Sequence, residues 1–73
     1  MLMTRILHTT DLGRVVKERR KQRGLTQADL AMYCGTGIRF ISDLENGKQT
    51  VQFEKALRVI SMLALDMEIK ERA

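Results

Sequence analysis

Between Gln27 and Leu44 the chain places a small residue, a glycine and a β-branched apolar residue at offsets that leave few ways to fold: Ala31, Gly35 and Ile41. Thr26 can cap a helix here, and Asp29, three residues on, can complete a reciprocal capping box. The helix then runs over about 27–34 and turns Leu30, Ala31 and Cys34 inward. Gly35 supplies the positive φ that ends it. A third helix begins near Gly37 or Ile38, ends at Asn46-Gly47, and turns Ile41 and Leu44 inward. Ala31 falls where the two helices cross most closely, so a larger side chain would push them apart. Ile41 packs under the turn, with Leu30 and Leu44 closing a small core around it. Helices set at ~90–120° by a short turn, the second one projecting, form a unit that can enter a DNA major groove.

The flanks read as further helices. Thr9-Thr10-Asp11 offers an N-cap, Leu12, Val15 and Val16 recur at helical spacing, and Gly24 suits the position after a helix end, so a first helix is expected over about 11–23. Thr50 is expected to cap a fourth helix over about 51–63, with Phe53, Ala56, Leu57, Ile60 and Leu63 as its apolar stripe. The period then switches. Leu65, Met67 and Ile69 alternate with Asp66, Glu68 and Lys70, which is a strand pattern. A lone strand is not stable, so this one needs residues 3–7 or a second subunit as its partner. The organisation expected is a tail or short strand over 1–10, a helical domain over 11–64, and a dimerisation strand with tail over 65–73.

A chain of 73 residues is one domain with a thin stability margin. With one cysteine, Cys34, and one histidine, His8, neither a disulfide nor a Cys/His metal site can staple it. Helix packing or a second subunit has to supply the difference. Cys34, inside a helix, reads as a small buried hydrophobe, and His8 as a surface residue. Met1-Leu2-Met3 meets Arg5 too soon for a secretory signal core, and no run is long enough for a membrane helix, so a cytoplasmic protein is expected. The net charge of +4 is unevenly spread. Residues 1–24 carry seven Lys and Arg against Asp11 and Glu18, whereas residues 25–48 are net −1 and residues 49–73 are balanced. Arg14, Lys17, Arg19, Arg20, Lys21 and Arg23 hold the excess, a patch suited to a polyanion or simply a solvated face. No pair of titratable groups is placed for acid–base chemistry, and no catalytic residue, metal site or cofactor is expected.

Gln27, Ala31, Gly35 and Ile41, together with Leu12-Gly13, Arg20, Gly24-Leu25-Thr26, Leu30 and Leu44-Glu45-Asn46-Gly47-Lys48, resemble the phage-repressor-like (Xre/Cro) helix-turn-helix family over about residues 12–63. The closing run Gly47-Lys48-Gln49-Thr50-Val51, Leu57, Val59-Ile60 and Leu63 to Ile69 is similar to the HipB-type antitoxins within it. The resemblance implies an all-α, four- to five-helix, lambda-repressor-like domain whose short C-terminal β-strand (Leu65, Met67, Ile69) pairs across a homodimer. It implies that Thr26, Gln27 and Ala28 meet phosphate at a helix N-terminus. Gly37, Ile38, Arg39, Ser42 and Asp43 would face the bases, with Arg39 bidentate to guanine. Asn46 and Lys48 would touch the DNA backbone, and Arg20 and Glu45 would form a structural salt bridge. Gly37 departs from the family's polar cap, leaving that role to Thr36 or to no side chain. Ile38 stands where many relatives carry a hydrogen-bonding reader, and it suits a thymine methyl or no contact.

The function so implied is that of a sequence-specific repressor. It would bind a palindromic operator as a homodimer, autoregulate its operon, and bind a HipA-like Ser/Thr kinase toxin. Two rivals stand beside it. One is a phage- or stress-type repressor without a toxin. The other is a protein-interaction module that has lost DNA binding.

Overall fold

The computed structural model of the chain describes residues 3–72; Met1, Leu2 and Ala73, the outer ends of the expected terminal segments, lie outside the described residues. The order is α1 (Thr9–Gln22), α2 (Gln27–Cys34), α3 (Ile38–Glu45) and α4 (Phe53–Met62). Val16, Leu30, Ala31, Cys34, Ile41, Leu44, Ala56, Val59, Ile60 and Leu63 form one buried core. All-helical architecture is therefore as expected, with helices that differ from the sequence reading mainly at their ends. Helix α1 starts two residues early, because Asp11 sits in its first turn rather than before it and accepts the N–H groups of Leu7 and His8. Helix α4 starts two residues late. Val51 is spent on packing against the core, and Gln52 takes the capping position with no side-chain hydrogen bond, so Thr50 is not the cap. Phe53 and Leu57, expected in the inward stripe, are exposed in the single chain.

Every helix ends in the same way. In α2, Gly35 turns left-handed (φ 67°), its N–H reaches Met32 O at 3.3 Å, and the Thr36 N–H reaches back to Ala31 O at 2.9 Å. This is a Schellman motif, which pairs carbonyls that the helix end would otherwise orphan. Gly24 and Gly47 occupy the matching positions after α1 and α3. After α4 the residue is Ala64, at φ 57°, with Leu65 N–H on Ile60 O at 3.1 Å. A methyl group there is strained, because Cβ crowds the following carbonyl.

The C-terminal expectation is corrected in part. Neither 65–72 nor 3–7 is a strand, and they make no ladder with each other. Leu65, the first residue of the expected strand, belongs instead to the helix cap and packs against the core.

A buried ion pair ties three helices together. Arg20 of α1 donates from Nε to Glu45 Oε2 at 2.6 Å and from Nη2 to Glu45 Oε1 at 2.9 Å, at the end of α3. Its third nitrogen, Nη1, donates to Leu25 O at 2.8 Å, and Gln27 of α2 donates from Nε2 to Glu45 Oε1 at 3.1 Å. The two charged side chains are 9% and 2% exposed, so neither can fall back on water. The hydrogen bond to Glu45 holds the Arg20 guanidinium even more firmly in its charged form than usual. The family-implied salt bridge is thus present, with Gln27 as an unforeseen third member. Gly13 lets α1 come close enough: a Cβ there would lie 2.5 Å from the carbonyl oxygens of both Leu44 and Glu45.

Two outcomes follow for urea or thermal unfolding. Ala64→Gly should stabilise the chain by about 1 kcal/mol, by relieving the left-handed strain. Glu45→Ala should cost about 3–5 kcal/mol, because it strands the Arg20 charge in the interior, whereas Arg20→Met combined with Glu45→Leu should recover most of that loss.

Candidate nucleic-acid interface

The turn between α2 and α3 is built by local chemistry. At the start of α2, Thr26 Oγ1 accepts the Asp29 N–H at 3.0 Å and Asp29 Oδ2 accepts the Thr26 N–H at 2.9 Å. The backbone and then the hydroxyl of Thr26 hold the Asp29 carboxyl below the usual aspartate range. The negative cap matches the positive end of the helix dipole. In the middle of α2, Ala31 is 4% exposed and lies in one buried cluster with Leu30, Ile41 and Leu44.

With Ile41, Leu44 and Glu45 facing inward, α3 must present its other side to solvent. Gly37 caps α3 with extended backbone and no side-chain hydrogen bond. Thr36 does not take over as cap; its hydroxyl is buried without a partner. Ile38 is 53% exposed and Arg39 is exposed, so the first turn of α3 projects. Arg39 makes no ion pair or side-chain hydrogen bond among the described residues.

The remaining expected DNA-facing residues are grouped around this turn with differing freedom. Ser42 and Asp43 are half-buried on α3. Asn46 donates from Nδ2 to Ser42 Oγ at 3.5 Å, and Lys48 Nζ lies 3.4 Å from Asp43 Oδ2. Ala28 is exposed in the first turn of α2, beside Thr26. Gln27 is committed through its amide nitrogen to Glu45.

The basic helix is less of a patch than its sequence implies. Arg14, Lys17, Lys21 and Arg23 are exposed, with Arg14 3.5 Å from Asp11. Arg20 is buried, and Arg19 is half-buried with Nε donating to Leu63 O at 3.0 Å, at the end of α4. Arg58 likewise donates to Cys34 O at 3.3 Å. These carbonyl-capping arginines escape a sequence reading, because nothing local distinguishes them from solvated charges. Burial pushes the Cys34 thiol up, with Arg58 opposing, so it sits in the core as the small hydrophobe expected. Phe40 packs against the core with Lys55 Nζ 5.8 Å from its ring centre, in keeping with packing rather than reading. No helix among the described residues is long and apolar enough to cross a membrane.

Known proteins share this arrangement. A helix-turn-helix family model matches residues 16–69. An uncharacterized HTH-type transcriptional regulator of Sinorhizobium fredii, y4mF, is 43% identical over 65 residues, which span 89% of this chain and 86% of that protein. The ImmF control region 10 kDa protein of Bacillus phage phi105 is 29% identical over 58 residues, spanning 80% of this chain and 64% of that one. Among solved structures, a HipB variant in an O2 20mer complex matches with a TM-score of 0.87 and 28% identity, covering 99% of this chain and all (100%) of that one. A chain of a HipA-HipB-O2-O3 complex also matches, at a TM-score of 0.86 and 27% identity over 97% of this chain and 100% of the other. The family match covers most of the chain and includes both crossed helices, and the chain belongs to the Xre-type helix-turn-helix family of DNA-binding regulators.

Proposed function

We propose that the chain is a sequence-specific, homodimeric DNA-binding repressor and the HipB-type antitoxin of a toxin–antitoxin operon. The observation that carries the DNA reading is the projecting first turn of α3, where Arg39 is exposed and unpaired among the described residues. In the proposed complex α3 enters the major groove. Arg39 donates to guanine O6 and N7, a contact that planar guanidinium geometry favours. Ser42 and Asp43 lie further along the same groove wall. Gly37, having no side chain, lets the backbone come close. The N-terminal amides of α2, at Thr26, Gln27 and Ala28, meet one phosphate, which the helix dipole attracts. Asn46 and Lys48 meet the sugar-phosphate backbone, Lys48 leaving Asp43 to do so.

Dimerisation through the terminal segment is part of the same reading. Met67 is 41% and Ile69 97% exposed, so beyond Leu65 the apolar side of the alternation is incompletely covered within one chain. Pairing residues 66–69 with their copies in a second subunit would give the segment a ladder and cover Met67 and Ile69. A two-fold dimer would set two recognition helices about 34 Å apart, one DNA turn, on a palindromic operator. The antitoxin assignment is supported by the likeness to HipB chains found with a 20mer and, in one complex, with HipA. A HipA-like kinase is accordingly the proposed protein partner, in the cytoplasm. The same domain without a toxin would be a simple repressor, and a kinase reading frame beside the gene separates the two.

Binding to the DNA upstream of the gene, followed by gel shift over a salt series, tests the reading. The native duplex should bind tighter than a scrambled one at every salt concentration, with affinity falling as salt rises. Arg39→Ala should weaken specific binding by about 1–3 kcal/mol while leaving the unfolding midpoint unchanged. Equal affinity for native and scrambled DNA rejects specific repression, and a salt-insensitive protein partner with no DNA shift favours the interaction module.

A further inference from the structure

Ile38 has no evident work to do within the chain. It is a β-branched apolar residue, 53% exposed, at the first position of α3. An isolated exposed hydrophobe is ordinary on a protein surface. This one differs in what surrounds it. The residue before it, Gly37, has no side chain, and a Cβ built there would meet no atom within 4 Å. On that side no neighbouring side chain stands beside Ile38's own exposed surface. The residue after it, Arg39, is exposed and unpaired among the described residues. Further along the helix the polar groups are engaged with one another, Asn46 with Ser42 and Lys48 with Asp43. Ile38 and Arg39 are thus the pair of side chains that a partner of α3 would meet first and find free.

The chemistry of the two side chains is opposite. Base edges in the major groove are hydrogen-bonding atoms, with one apolar exception, the C5 methyl of thymine. An isoleucine pressed against guanine O6, adenine N6 or cytosine N4 would take water from a polar atom and return nothing, which costs free energy. Against a thymine methyl it buries apolar surface on both sides. Adjacent residues on a helix rise only about 1.5 Å along its axis and point about 100° apart, so Ile38 and Arg39 leave the same first turn of α3 in different directions and would meet different atoms of the same few base pairs.

We infer that Ile38 is a specificity-determining residue that reads a thymine methyl in the part of the half-site met by the first turn of α3. This rests on the DNA-binding reading above and names what the tip of the helix selects. A thymine is required at one position in each half-site, and the requirement is for its methyl group rather than for its hydrogen-bonding pattern.

The test uses the full chain and a duplex from the DNA upstream of its gene. Each thymine in turn is replaced by deoxyuridine, which removes the methyl and keeps the base pair. One position per half-site should weaken binding about fourfold, the effect of losing roughly one buried methyl group. With Ile38→Ala the same replacement should cost less than about a factor of two, because the methyl no longer has its partner. Ile38→Ala alters an exposed side chain, and unchanged thermal unfolding confirms that the fold is intact. Specific binding that tolerates uracil at every position overturns the assignment while leaving the repressor reading in place. A uracil penalty that persists in full with Ile38→Ala also overturns it. If the unmodified duplex is bound no better than scrambled DNA, the repressor reading fails and the assignment falls with it.

Discussion

The structure turns on one buried charge pair. Arg20 and Glu45 are brought out of water together, and the chain can tolerate that only because their geometry is bidentate and the remaining groups are satisfied by Leu25 O and Gln27. Such a pair is weak evidence for net stability. Its value lies in position. It fixes the C-terminal end of α3 against α1 and α2 at once, while Gly13 allows the backbones of α1 and α3 to meet. With that end held, and Ile41 and Leu44 buried, the rotation of α3 about its own axis is determined. Ile38 and Arg39 then have to face outward. The interior polar network and the exposed outer edge of α3 are two consequences of one arrangement.

The same logic sorts the charges. A basic helix of this composition reads as an electrostatic patch, yet its arginines divide by role. Arg20 neutralises a buried carboxylate, and Arg19 caps the carbonyl of Leu63 at the end of α4. Arg58, from α4, does the same for Cys34 at the end of α2. These side chains spend their donors on backbone oxygens and on Glu45. What remains for a polyanion is the exposed set that includes Lys17, Lys21, Arg23 and Arg39.

The crossed pair of helices was fully legible in the sequence, because each of its demands falls on one residue: a reciprocal cap at Thr26 and Asp29, a small residue at Ala31, a left-handed turn at Gly35, an apolar wedge at Ile41. The other glycine-terminated ends were legible for the same reason. The end of α4 was not, since alanine at position 64 adopts the left-handed region through tertiary context against its own preference. Periodicity alone placed Phe53 and Leu57 inside, whereas α4 turns Ala56, Val59 and Ile60 to the core and leaves both exposed in one chain. The alternation from Leu65 to Ile69 was real as a pattern. Its first member was claimed by the helix cap, however, and Met67 and Ile69 stay exposed in the single chain. The residues proposed to read DNA rest on family register alone, since an exposed arginine has no local signature of its target.

If the fixed rotation of α3 makes the start of α2 and the outer face of α3 the surface that meets DNA, titrating isotope-labelled protein with the upstream duplex will show it in the backbone amide resonances. The shifted amides should concentrate at residues 26–28 and 37–43, with the core around Val16 and Val59 little changed. Shifts that bypass those segments and gather elsewhere, for instance around Met32 and Tyr33, would contradict it.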